Sequence, residues 1–299
     1  MTFLQEIGIS TELAIILAID LTIAILLLTA MRYLQGWSAK VNSTAELAQR
    51  DNFAFGISTA GAVLALGIVL TGAIKGEAAS SYLWEAIGMS AYGLFGLLLI
   101  KLGRFLHDKL ALHNLNKTEQ ILKGNVAVAI VDAGAAIATA TIIRAALIWA
   151  EDLTVNTFIA IFSAFIVSQL MLILLTRWRE YRYARRNQQM PLQLALEKGY
   201  TALAIRHAGY LVALGITFNA ASHFMIYLPT AYVGNILGWL VFSVIMLVVL
   251  SLLLALVKRL VLAKIDMVTE VEQQHNIGVA AVEMAISIAV ALLLAALMA

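Results

Sequence analysis

The chain is 299 residues long, 62% hydrophobic and only 13% charged, with a mean hydropathy of +0.91. That composition lies outside the range of soluble globular domains and reads as an integral membrane protein. The formal net charge is only +2, and the absence of cysteine excludes disulfides and thiolate metal sites.

A bilayer core about 30 Å thick needs about 20 apolar residues per helix. In chain order, eight segments are that long: 13–31, 53–74, 82–100, 125–148, 155–176, 201–226, 231–257 and 277–299. They are continuous runs rich in Leu, Ala and Ile, without the alternation of transmembrane β-strands. The expected fold is all-α, a polytopic membrane protein of about eight transmembrane helices. No Lys or Arg precedes the first segment, the first being Arg32, and its apolar run exceeds a signal-peptide core. It is expected to stay in the mature protein.

Seventeen of the 20 Lys and Arg fall in four connections. The first holds Arg32, Lys40 and Arg50, and the second Lys101, Arg104, Lys109, Lys117 and Lys123. The third holds Arg177, Arg179, Arg182, Arg185, Arg186 and Lys198, and the fourth Lys258, Arg259 and Lys264. Connections nearly free of positive charge alternate with these, so the positive-inside rule predicts four cytoplasmic connections and both termini outside the cytoplasm. The densest run, "RWREYRYARRNQQ" (Arg177 to Gln189), reads as a basic cytoplasmic loop anchored to anionic lipid rather than as a nucleic-acid-binding segment.

The chain repeats itself. "STAGAVLALGI" (Ser58 to Ile68) returns as "RHAGYLVALGI" (Arg206 to Ile216), and "NVAVAIVDAGAAIA" (Asn125 to Ala138) as "NIGVAAVEMAISIA" (Asn276 to Ala289). Two tandem four-helix halves follow, 1–150 and 151–299. A finer period aligns "DNFAFGISTAG" (Asp51 to Gly61) with "GNVAVAIVDAG" (Gly124 to Gly134), giving four helix-pair units. Each unit is a helix, a basic connection, and a second helix opened by Asn52, Asn125, Tyr200 or Asn276. An even number of helices per unit gives every copy the same orientation, so an internal axis is expected along the membrane normal.

The opening motif runs "RDNFAFGISTAG" (Arg50 to Gly61), "KGNVAVAIVDAG" (Lys123 to Gly134), "KGYTALAIRHAG" (Lys198 to Gly209) and "QHNIGVAAVEMA" (Gln274 to Ala285). It resembles the domain of unknown function 350 family of bacterial inner-membrane proteins. The third copy has Tyr200 in place of Asn, and the fourth lacks both the first alanine and the glycine. The resemblance covers most of the chain, as four units where shorter members have two. It implies a multi-pass inner-membrane location and a membrane-stress or envelope role, with no assigned activity.

Seven residues beyond each helix-opening residue stand Thr59, Asp132, His207 and Glu283. Seven residues rise about 10.5 Å and turn about 700°, so these positions lie two turns deeper on the same face. Were the units to surround a common axis, the four side chains would form an intramembrane polar layer. Ionisable groups at that depth cost at least a few kcal/mol and are functional candidates by default. They could bind a cation or relay a proton; the alternative is interhelical pairing with Arg206, Arg144 or neighbouring hydroxyls. Asp20, Arg144 and Arg206 are the other intramembrane charges. Arg144 lies about 18 Å beyond Asp132 along one helix, which implies partners on other helices. Small residues such as Gly56, Ala60 and Gly67, or Ala129, Ala133 and Gly134, read as tight helix packing.

The five histidines show no ligand spacing, so neither a metal nor another cofactor is expected. No Gly-x-Ser-x-Gly, phosphate-binding loop or His-Glu-x-x-His occurs, and no enzyme is expected. The functional expectation is a cation or proton transporter or channel using the polar layer. Its rival is a membrane scaffold, alone or as a homo-oligomer, that recruits a cytoplasmic protein partner or anionic lipid through the basic connections.

Overall fold

The computed structural model describes residues 10–74, 81–150 and 152–298. The expected location of the termini concerns residues 1–9 and 299, outside the described residues. Eight long apolar helices make the chain a multi-pass membrane protein. They are α1 (Thr11–Ala39), α2 (Phe53–Ala73), α3 (Tyr82–Leu106), α4 (Val126–Trp149), α5 (Val155–Arg186), α6 (Thr201–Ser222), α7 (Tyr232–Val261) and α8 (Ile277–Met298).

The odd helices α1, α3 and α5 start at Ser or Thr. Ser10, Ser81 and Thr154 each accept the amide of the residue three further on, which removes one of the unpaired N–H groups of a helix start. The even helices start differently. The residue before each opening residue is left-handed: Asp51 at φ 48°, Gly124 at 86°, Gly199 at 82° and His275 at 57°. Glycine takes that conformation without steric cost, which accounts for the Lys-Gly pairs of the second and third motifs.

Asn52, Asn125 and Asn276 then accept the Phe55, Val128 and Val279 amides respectively. The same side chains donate elsewhere. Asn52 Nδ2 reaches the Ile121 and Leu122 carbonyls of the next unit, and Asn125 Nδ2 those of Leu196 and Glu197. Tyr200 caps nothing; its ring instead lies 3.8 Å from that of His275, again in the next unit. Each opening residue before the last therefore ties its unit to the one that follows.

Glycine fixes how the even helices meet. Nine residues after the opening residue stand Gly61, Gly134 and Gly209, each seated on the residue eight after the next opening residue. A Cβ on Gly61 would overlap Ala133, one on Gly209 would overlap Met284, and one on Gly134 would lie 2.8 Å from Ala208 Cα. The even helices consequently form a row, α2 to α4 to α6 to α8, whose neighbours pack far more extensively than any other pair. The arrangement about a common axis does not occur, because each contact face points onward to the next unit and α2 and α8 end the row without substantial packing between them. The fourth unit has Ala285 where the others have glycine, and Ala285 is exposed.

The odd helices form a second row, each wedged against even helices and joined to its neighbours α1 to α3 and α5 to α7. Apolar side chains including Leu66, Ile143, Phe165 and Trp239 fill one core between the rows, and Ile142, Leu172, Leu214 and Phe218 fill another. No boundary in packing falls between the two halves, since α4 and α6 meet as closely as α2 and α4.

The odd helices overshoot the expected spans. At 32 residues α5 is about 48 Å long, well beyond a bilayer core, and it runs unbroken to Arg186. The expected basic loop at Arg177–Arg186 is thus a helix. Arg182 stacks on Trp178, Arg185 on Tyr181, and Arg177 pairs with Glu180, all at helical spacing, and no helix breaker precedes Asn187.

Gly134→Val should destabilise the protein by about 1–3 kcal/mol in reversible unfolding, since the side chain must force α4 from α6. Gly67→Ala, at a position with no heavy atom near the added Cβ, should leave stability unchanged or slightly raised. Asn125→Ala should cost about 1–2 kcal/mol through the lost cap.

Candidate functional site

The four basic connections gather at one end of the bundle, and two buried charge clusters lie just inside that end. Each is built on a carboxylate of an even helix, six residues along α4 or α8.

In the first half, Asp132 is held from three sides. Arg104 of α3 donates through Nε and Nη2 to Oδ1 at 3.0 Å and Oδ2 at 2.5 Å, a two-point fork that matches a carboxylate. Lys117, from the connection between α3 and α4, donates to Oδ1 at 2.7 Å, and Ser58 of α2 to Oδ2 at 2.5 Å. Arg104 is held in turn by Gln35 Oε1 at 2.7 Å, and Lys117 also pairs with Asp108. The Asp132 side chain is 1% exposed, against 11% for each cation. A cavity of about 300 Å³ lies alongside, lined by Gln35, Ser58, Lys101, Arg104, Asp108 and Lys117 among others.

In the second half Glu283 takes the place of Asp132. Lys258 of α7 donates to Oε1 at 2.7 Å, and Arg206 of α6 lies 3.0 Å from Oε2. Arg206 is shared with Glu272, at 2.8 Å, whose other oxygen accepts from Asn187 and whose outer side meets Arg186 at 3.7 Å. Ser58 and Arg206 are equivalent, each six residues past its opening residue. The shared design is a carboxylate on the later even helix of a half, gripped by the earlier even helix and by the basic end of the odd helix between them.

Asp132 and Glu283 therefore sit at the expected depth but in separate clusters, and Thr59 and His207 join neither carboxylate. Among the described residues Thr59 Oγ1 is buried without a hydrogen bond, and so are both ring nitrogens of His207, which is 1% exposed. Asp20 is buried on α1 with Oδ1 unpartnered. Arg144 bonds the Thr71 hydroxyl at 2.9 Å toward the opposite end, far from both clusters. Asn52, Asn125, Tyr200 and Asn276 act in capping and in joining units. Arg177, Arg182 and Arg185 are exposed on α5, Arg186 reaches toward Glu272, and Arg179 turns inward over the Tyr210 ring at 4.2 Å.

Sequence reasoning assigned Arg104, Lys117 and Lys258 to the connections and so missed them as site residues, and it did not single out Glu272. The available signal was length: odd helices that overshoot the bilayer carry their terminal basic residues back along the ends of the even helices. Among the described residues no group of His, Asp and Glu has the arrangement of a metal site.

The family described as Domain of Unknown Function (DUF350) matches residues 8–147 and again 152–298, and the chain belongs to that family, with two tandem copies of its domain. No curated protein and no solved structure matches the chain.

Asp132→Asn should destabilise the protein by about 3–5 kcal/mol, because Arg104 loses its counter-charge and Lys117 one of its two. Adding Arg104→Gln should recover part of that loss, measured as a double-mutant cycle in unfolding. Thr59→Val should stay within about 1 kcal/mol of wild type, since its hydroxyl bonds nothing.

Proposed function

We propose that the protein works by binding at its basic end, as a membrane scaffold that holds an anionic ligand or surface on the cytoplasmic side of a bacterial inner membrane. The observation that carries this reading is the charge balance of the two clusters. Asp132 and Glu283 each already hold two tethered cations, so neither has charge to spare for a third. The surplus is positive: Lys101 in one cluster and Arg179 in the other face cavities with no carboxylate bound to them among the described residues. Beyond the clusters the rows close largely on apolar cores, where buried polar side chains such as Gln169 and Thr139, or Trp239 and Ser168, bond each other. The cytoplasmic placement rests on the distribution of Lys and Arg.

A cation or proton transporter is the second reading, favoured by one feature. Lys117 and Lys258 are the single-point partners of their carboxylates, and a flexible lysine yields to a competing cation more readily than a two-point arginine. The two readings separate in proteoliposomes. Proton, potassium and sodium flux should equal that of protein-free vesicles, while detergent-purified protein should retain anionic over zwitterionic lipid in native mass spectrometry. Charge reversal at Arg177 and Arg185 should weaken that retention. Flux that Asp132→Asn/Glu283→Gln abolishes would establish transport instead, and the absence of both flux and anion retention would defeat the scaffold.

A further inference from the structure

The two clusters are equivalent in plan but not in charge. In the first, Gln35 of α1 supports Arg104 as a neutral hydrogen-bonding neighbour. In the second, the residue at the same count from the start of its helix, 24 positions past the first, is Arg179, which lies over the Tyr210 ring. A neutral amide is thus exchanged for a cation, next to Arg206 on α6.

A cavity of about 110 Å³ opens at this point, lined by Arg179, Arg182, Arg186, Arg206, His207 and Glu272 among others. Four guanidinium groups face one carboxylate. Arg206 and Arg186 are engaged by Glu272, and Arg206 also by Glu283. Arg179 and Arg182 have only aromatic faces, Tyr210 and Trp178, and no acceptor among the described residues. His207 adds an independent observation: a ring 1% exposed, lining the cavity, with neither nitrogen bonded to any group among the described residues. Buried polar atoms are rarely left unpaired, and an unpaired group lining a cavity points to an occupant.

We infer that this cavity binds a phosphate-type oxyanion, with Arg179 and Arg182 as its charge-assisted donors and the His207 ring as the deeper contact. Planar guanidinium groups offer paired N–H donors that match phosphate oxygens. The space has room for one phosphate group. Trp178, Arg182 and Arg186 at the mouth are exposed, so whatever the phosphate is attached to stays outside. Inorganic phosphate and the phosphomonoester headgroup of an anionic lipid both present this chemistry. The inference rests on the scaffold reading and gives its anion an address.

The test uses the full-length protein in nanodiscs of zwitterionic lipid. Binding of inorganic phosphate is read by calorimetry, and binding of phosphatidic acid by native mass spectrometry after doping the nanodiscs. Wild type and Arg144→Gln, which changes an arginine toward the opposite end of the bundle, should bind alike. Arg179→Gln and Arg182→Gln should each bind about tenfold or more weakly, the size of one lost charge-assisted contact. Because Arg179 is largely enclosed, the Arg182 variant keeps the test valid if Arg179→Gln does not fold. Phosphate binding with this pattern identifies a soluble anion, and phosphatidic acid binding alone with this pattern identifies a lipid headgroup; either supports the site. Equal binding by wild type and both cavity variants, with loss only on charge reversal at Arg177 and Arg185, overturns the cavity site while leaving surface recruitment intact. No binding of either anion by any form overturns both.

Discussion

Everything in this molecule follows from how closely one even helix approaches the next. Gly61, Gly134 and Gly209 carry no side chain where the following helix arrives, and Ala133, Ala208 and Met284 occupy that space. In a membrane, where lipid tails compete equally for apolar side chains, such close backbone contact is a main source of helix association. The contact is directional: a glycine nine residues into one motif meets the residue eight positions into the next. Repeated three times it yields a row with two ends.

The row decides which charges meet. Along each half, a carboxylate on the later even helix sits beside the residue six positions into the earlier motif, Ser58 for Asp132 and Arg206 for Glu283. The odd helices complete the grip because they are longer than the bilayer and carry their basic residues at the same end. Duplication thus produced two sites with one plan. Their charges differ: the even helix supplies Ser58 in one and Arg206 in the other, and the odd helix Gln35 in one and Arg179 in the other. The first cluster is nearly balanced by its own carboxylates, whereas the second retains an excess of guanidinium groups around a small cavity.

Much of this was legible in the residues. Span length and hydropathy gave eight helices, and the repeated motif gave the units and the depth of Asp132 and Glu283. Ala133 and Gly134 were read correctly as packing residues, but Gly56, Ala60 and Gly67 were not, since Ala60 is exposed and Gly67 faces open space; one sequence does not say which face of a helix its neighbour will use. A ring and a row share the same periodicity. The partners of the carboxylates were hidden for a related reason: Arg104, Lys117 and Lys258 look like ordinary flanking charge until the odd helices are known to overshoot. Arg177 to Arg186 was mistaken for a loop because its charge density masked helical stacking of arginines on Trp178 and Tyr181.

The ends of the row offer the most direct test. Ala60 on α2 and Ala285 on α8 occupy the positions that touch in every internal contact, yet both are exposed. The chain has no cysteine, so spin labels can be placed at these two sites alone. With adjacent axes about 8–10 Å apart, a row of four helices predicts a label separation of roughly 20–30 Å by pulsed electron resonance. A distance near a single helix spacing would mean that Ala285 packs on Ala60, that the units close into a ring, and that the two charge clusters belong to one layer after all.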